Sequence, residues 1–80
     1  QFVTLQIKGD ALLAKGDVVG GAHCHLDMAA LDFDAREYLV ARTRQLAASD
    51  PPLARLYAAA IQADIPELEP ALARCFKGIA

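Results

Sequence analysis

The stretch Gly20-Gly21-Ala22-His23-Cys24-His25-Leu26-Asp27-Met28 decides how this chain is read. It holds both histidines, one of the two cysteines and the only methionine. Along an extended strand, side chains alternate between two faces. In that register Ala22, Cys24, Leu26 and Met28 point one way, and His23, His25 and Asp27 point the other. Period-two alternation argues for a half-buried strand. Gly20-Gly21 before it suits a turn or bulge.

The polar face of such a strand is the one place where the sequence gathers chemistry. Residues at i and i+2 lie roughly 6.5–7 Å apart, from a rise of about 3.3 Å per residue. Two imidazoles at that spacing can converge on one ion, and a carboxylate can complete the set. His23 and His25 are therefore candidate ligands for zinc or a similar divalent metal, with Asp27 as third ligand or as a partner behind them. The commoner meaning of the pattern is a solvated polar face with no metal.

Two short family resemblances attach to this region. His23-Cys24-His25-Leu26-Asp27, followed by Phe33-Asp34 and an Arg-bearing helix, resembles the opening of the TatD-type metal-dependent nucleases. That resemblance implies metal-ligand roles for His23 and His25. It covers roughly residues 22–44, with Gly21 and Ala22 where that family carries Asp and then Thr or Ser. A (β/α)₈ barrel takes about 250 residues, so 80 cannot build one. Lys15-Gly16-Asp17-Val18-Val19-x-Gly21 is similar to a hairpin of biotinyl/lipoyl-type domains, but the modifiable lysine between apolar residues is missing. Both matches are set aside as chance.

Upstream, Val3, Leu5 and Ile7 alternate with Thr4, Gln6 and Lys8, which again reads as a strand. Lys8-Gly9-Asp10 and Lys15-Gly16-Asp17 read as turns, because Gly supplies positive φ and Asp bonds the local backbone. Downstream, the period changes. Asp34-x-x-Glu37 is close to a capping box and opens a helix to about Ala48. Asp50 then caps a second helix with Pro51 at its first position. In it Leu53, Leu56, Tyr57, Ala60 and Ile61 form the cleanest amphipathic stripe. A third helix carries Leu68, Leu72, Cys75 and Phe76, with Gly78 as its stop.

Strands first and helices after predict an α+β domain over residues 1–80. It has a small N-terminal antiparallel sheet (strands about 2–28) followed by two or three packed helices (about 34–78). Its expected core is Val3, Leu5, Ile7, Leu26, Leu39, Leu46, Leu53, Leu56, Ile61, Leu72 and Phe76. An apolar fraction of 55% argues against disorder, and much of it is Ala, which favours helix faces that seek a partner.

Net charge is −2 and no basic run exists, which counts against nucleic acid as a partner. No apolar run approaches the ~18–20 residues of a membrane span. Two cysteines without a secretion pattern suggest free thiols and a cytoplasmic setting. The first residue is Gln, so the chain reads as processed or as a piece of something longer. The composition points to a non-catalytic protein–protein interaction module, an accessory subunit, adaptor or regulator, working through its helical face on a protein partner or on a second copy of itself. The competing expectation is a metal-binding or metal-dependent hydrolytic protein, or an enzyme fragment, built on His23-x-His25-x-Asp27.

Overall fold

A computed structural model describes residues 2–79. Five α-helices follow one another: α1 (Phe2–Ala14), α2 (Val18–Leu31), α3 (Arg36–Ser49), α4 (Pro51–Asp64) and α5 (Glu69–Arg74). Single 3₁₀ turns at Phe33–Ala35 and Pro66–Leu68 lead into α3 and α5. Among the described residues there is no strand, so the expected α+β fold is corrected to an all-helical one. None of the described helices is long and apolar enough to cross a membrane.

The correction falls on residues 2–28, which form two helices and not a sheet. Residues Leu5, Gly9 and Leu13 recur every four positions and turn inward from α1. In α2 the buried set is Gly21, Ala22, Cys24, His25, Met28 and Ala29, spaced i, i+1, i+3, i+4, i+7 and i+8. That is helical spacing, wide because α2 is covered by α1, α3 and α4. Gly20-Gly21 is no turn. Both lie within α2, and Gly21 faces Leu13 and the Gly9 carbonyl of α1.

The ends of these helices follow local chemistry. Gly16, at φ +86°, closes α1. The Gly16 N–H donates to the Leu13 carbonyl at 2.9 Å and the Asp17 N–H to the Leu12 carbonyl at 2.9 Å, the paired bonds of a Schellman motif. Asp17 then caps α2, its carboxylate accepting from the Gly20 N–H at 3.0 Å. Asp32 caps the turn before α3 in the same way, through the Asp34 N–H at 3.0 Å. Asp50 caps α4 through the Leu53 N–H at 3.3 Å, with Pro51 at the first position. Gly78, at φ +83°, lies beyond α5.

Leu13 lies near Gly21, and Gly9 near Gly21 and His25, so α1 runs back along α2 in antiparallel fashion. The α3/α4 pair and α5 close the other side. The Cα trace measures 36 × 27 × 17 Å, so the thinnest direction is about two packed helices deep. Met28, Leu39, Tyr57, Ile61 and Leu72 are fully buried, together with His25 and Thr43. Of the expected core, Leu39, Leu46, Ile61 and Leu72 are buried, and Leu5, Leu26, Leu53 and Phe76 are half-buried against it. Val3 and Ile7 are exposed instead, because a helix turns them away where a strand would not, and Leu56 is exposed because α4 buries the face of Ala54, Tyr57, Ala58 and Ile61.

The α1/α2 contact makes a direct prediction. A Cβ on Gly21 would stand 2.7 Å from Leu13 Cγ and 3.0 Å from the Gly9 carbonyl oxygen. Gly21→Ala should therefore lower stability by about 1–3 kcal/mol through overpacking. A Cβ on neighbouring Gly20 would meet only the Asp17 carboxylate. Gly20→Ala should stay within about 1 kcal/mol of the parent, the gain in helix propensity offsetting the disturbed cap. Urea denaturation midpoints of the two variants check the contrast.

Candidate functional site

The three residues singled out from sequence do not converge. On a helix, i and i+2 point to roughly opposite sides. His23 and Asp27 share the solvent face of α2, with Nε2 and Oδ2 3.6 Å apart and side chains 75% and 55% exposed. His25 points into the protein and is 0% exposed. Among the described residues no three His, Cys, Asp or Glu side chains group as a metal would require.

His25 instead sits at the centre of a polar cluster drawn from four helices. Its Nδ1 lies 2.7 Å from the Tyr57 hydroxyl on α4. Its Nε2 lies 3.0 Å from Asp10 Oδ1 on α1. From α3, the Tyr38 hydroxyl donates to the same Oδ1 at 2.7 Å, and Arg42 Nε stands 3.3 Å from it. Tyr38 and Tyr57 meet the imidazole edge to face, at ring-centre distances of 5.2 and 5.8 Å.

Backbone geometry makes the seat. A Cβ on Gly9 would stand 2.5 Å from both Cδ2 and Nε2 of His25, so only glycine lets α1 lie against the ring. The acceptors fix the tautomer. On the α1 side the ring faces the Gln6 carbonyl and the Asp10 carboxylate, neither of which can donate. The proton therefore resides on Nε2, and Nδ1 accepts from Tyr57. Asp10 Oδ1 lies close to the Nε2–H but off its axis, as it does for Arg42 Nε, so both contacts are electrostatic and not well-formed hydrogen bonds.

Burial dominates the titration of the cluster. Desolvation holds His25 below its ordinary value, outweighing the Asp10 carboxylate, which pulls the other way. Desolvation first, and the Asp10 carboxylate second, push the Tyr38 hydroxyl up to about 12. Burial also raises Tyr57. With His25 neutral, the Asp10 carboxylate and the Arg42 guanidinium leave the cluster without net charge.

The sequence reading missed Asp10, Tyr38, Arg42 and Tyr57 as a set. One signal was available: Tyr57 lies on the apolar stripe of α4, and a buried tyrosine hydroxyl requires a partner. Comparison with protein-family models, with curated proteins and with solved structures finds no match.

What the arrangement can do chemically follows from access. An imidazole held between a carboxylate and a hydroxyl has the composition of a catalytic relay. Here His25 and Tyr57 are both 0% exposed, and no substrate atom reaches either. The open groove between α4 and α5, lined by Arg55, Ala58, Gln62, Leu72 and Phe76, shares no residue with the cluster. The cluster ties helices together.

Removing the Tyr57 hydroxyl leaves Nδ1 buried without a donor. Tyr57→Phe should cost about 1–3 kcal/mol of stability. Tyr38 is part-exposed, and water can replace its hydroxyl at Asp10, so Tyr38→Phe should cost less. Chemical denaturation of both variants gives the order.

Proposed function

We propose that this domain is a small non-catalytic interaction module that pairs with a second copy of itself through α1. The observation that carries the reading is the outward face of α1. Val3 and Ile7 are 61% and 63% exposed, and the exposed Ala11 and Ala14 continue the same stripe. A helix that covers a core with one face rarely keeps large apolar residues on the other unless something docks there.

Charge supports a second copy as the occupant. Beside the stripe the exposed cations are Lys8 on α1 and Lys15 in the turn just after it, while Asp10 is turned inward to the His25 cluster. At the end of α2 and in the turn after it, Leu31 and Phe33 are also exposed, among Asp27, Asp32 and Asp34. Because α1 and α2 are antiparallel, the Val3 end of α1 and the Leu31 end of α2 share one end of the molecule. Lys8 and Lys15 border one apolar patch, and Asp27, Asp32 and Asp34 border its neighbour, where Arg36 also stacks on the Phe33 ring at 4.6 Å. A twofold axis lays each patch on its opposite in the second copy, which is the self-complementary arrangement of a dimer. Cys24 and Cys75 are both free thiols, which fits a reducing compartment such as the cytoplasm.

Sedimentation velocity tests the pairing. The parent chain should run as a dimer that weakens at high salt, and Ile7→Glu should run as a monomer with unchanged helical circular dichroism. Leu56→Glu alters an equally exposed leucine on α4 and should leave the dimer intact. A parent chain that stays monomeric at submillimolar concentration, or a Leu56→Glu variant as disruptive as Ile7→Glu, rules out this surface.

A further inference from the structure

We propose that the Tyr57–His25–Asp10 chain is an acid-triggered latch, which holds α1 on the other helices while His25 is neutral and lets α1 open when the ring takes a second proton. The inference rests on the buried cluster and is independent of self-pairing.

Proton placement makes the latch. With Nε2 protonated, Nδ1 is the only site for a second proton, and Nδ1 is where Tyr57 donates. A proton there forces the Tyr57 hydroxyl to become the acceptor and to turn its own hydrogen elsewhere. Tyr57 is fully buried, and among the described residues that hydroxyl has His25 Nδ1 as its hydrogen-bond partner. The turned hydrogen then loses that partner, and an unmade buried hydrogen bond is the expensive kind.

Charge acts in the same direction. The groups facing the ring are the Gln6 carbonyl and Asp10 from α1, Tyr38 and Arg42 from α3, and Tyr57 from α4. No other charged group of α2 faces it. Asp10 and Arg42 already balance one another, so the imidazolium would be a net buried cation, and Arg42 opposes it directly. Asp10 favours the cation but is shared with Tyr38 and Arg42 at a single oxygen. Opening α1 is the relief that parts a single helix pair. Nearly all of α1's packing is against α2, its polar ties run through Asp10, and opening exposes the ring on its Gly9 side.

The direction with pH follows. The folded-state value of His25 lies below the ordinary 6.5, so the open form binds more protons once the pH drops beneath that value. Stability of the α1 contact is complete above it. The contact weakens as the pH falls from there toward the folded value, by roughly tenfold per pH unit for one proton taken up.

Histidine-ring NMR across a pH series tests this on the full chain. His25 should stay a neutral Nε2–H ring as the pH falls below the ordinary 6.5. Amide protection in α1 should fall about tenfold per pH unit below 6.5, ahead of α3 and α4. Arg42→Gln removes the cation that opposes the imidazolium and should move the His25 midpoint up. Asp10→Asn removes the counter-charge and should move it down. A merely structural role for the cluster would lower stability in both variants without moving the midpoint in opposite directions. A parent-chain His25 midpoint at or above the ordinary 6.5 overturns the latch. So does acid opening that spares α1, or an Arg42→Gln midpoint that does not move. If either variant fails to fold, the parent titration and its α1 protection decide the matter alone.

Discussion

The close approach of α1 to α2 is the constraint on which the other contacts depend. It exists because Gly9 and Gly21 face each other's helices with no Cβ between them. The approach brings the α1 backbone onto one edge of the His25 ring and sets Asp10 beside it. The opposite edge of the same ring reaches Tyr57 on α4. One imidazole thus spans from the outermost helix to the far layer of the bundle. A wider α1/α2 spacing would leave His25 short of Asp10 and admit water, and Tyr38 and Arg42 would lose their shared acceptor.

Much of the C-terminal half was legible because its signals are local. Asp50 followed by Pro51 states a helix start within two residues, and the apolar stripe of α4 states its period. The N-terminal half was not legible, because two periods coincide in it. Val3, Leu5 and Ile7 satisfy a strand, yet Leu5, Gly9 and Leu13 satisfy a helix if glycine is counted as a packing residue. Hydrophobicity alone gives Gly9 and Gly21 no face. In α2 the alternation of Ala22, Cys24, Leu26 and Met28 conceals a helix whose buried surface is unusually wide. Breadth of burial belongs to the tertiary arrangement, since three helices cover α2, and no window of sequence reports it.

The candidate site was less legible than the fold. The strand reading joined His23 to His25, and the helix separates them by half a turn, which sends one to solvent and one to the core. The partners that His25 does have come from Asp10, Tyr38, Arg42 and Tyr57, spread over the chain and each with a sound local explanation. Asp10 after Gly9 looks like a turn residue, and Arg42 looks like part of a solvated face. Only the superposition of four helices makes them one cluster.

That cluster also answers a problem set by composition. Ala22, Ala29, Ala35, Ala47, Ala54 and Ala58 make up a large share of the buried residues. Alanine faces pack closely but resist sliding poorly, since a methyl group meets its neighbour much the same one turn further along. A helix held by alanine contacts alone has several registers of similar energy. A hydrogen bond of fixed length between buried groups does not tolerate such a shift. One turn of displacement is about 5.4 Å, and it would leave the Tyr57 hydroxyl and His25 Nδ1 both unpaired. The polar cluster therefore selects one packing among those that the alanines allow. It follows that the cluster needs neither large net stabilisation nor access to solvent to matter. Its value lies in how much worse every alternative packing is. The helix it selects most sharply is α1, whose remaining hold on the bundle is its contact with α2 alone.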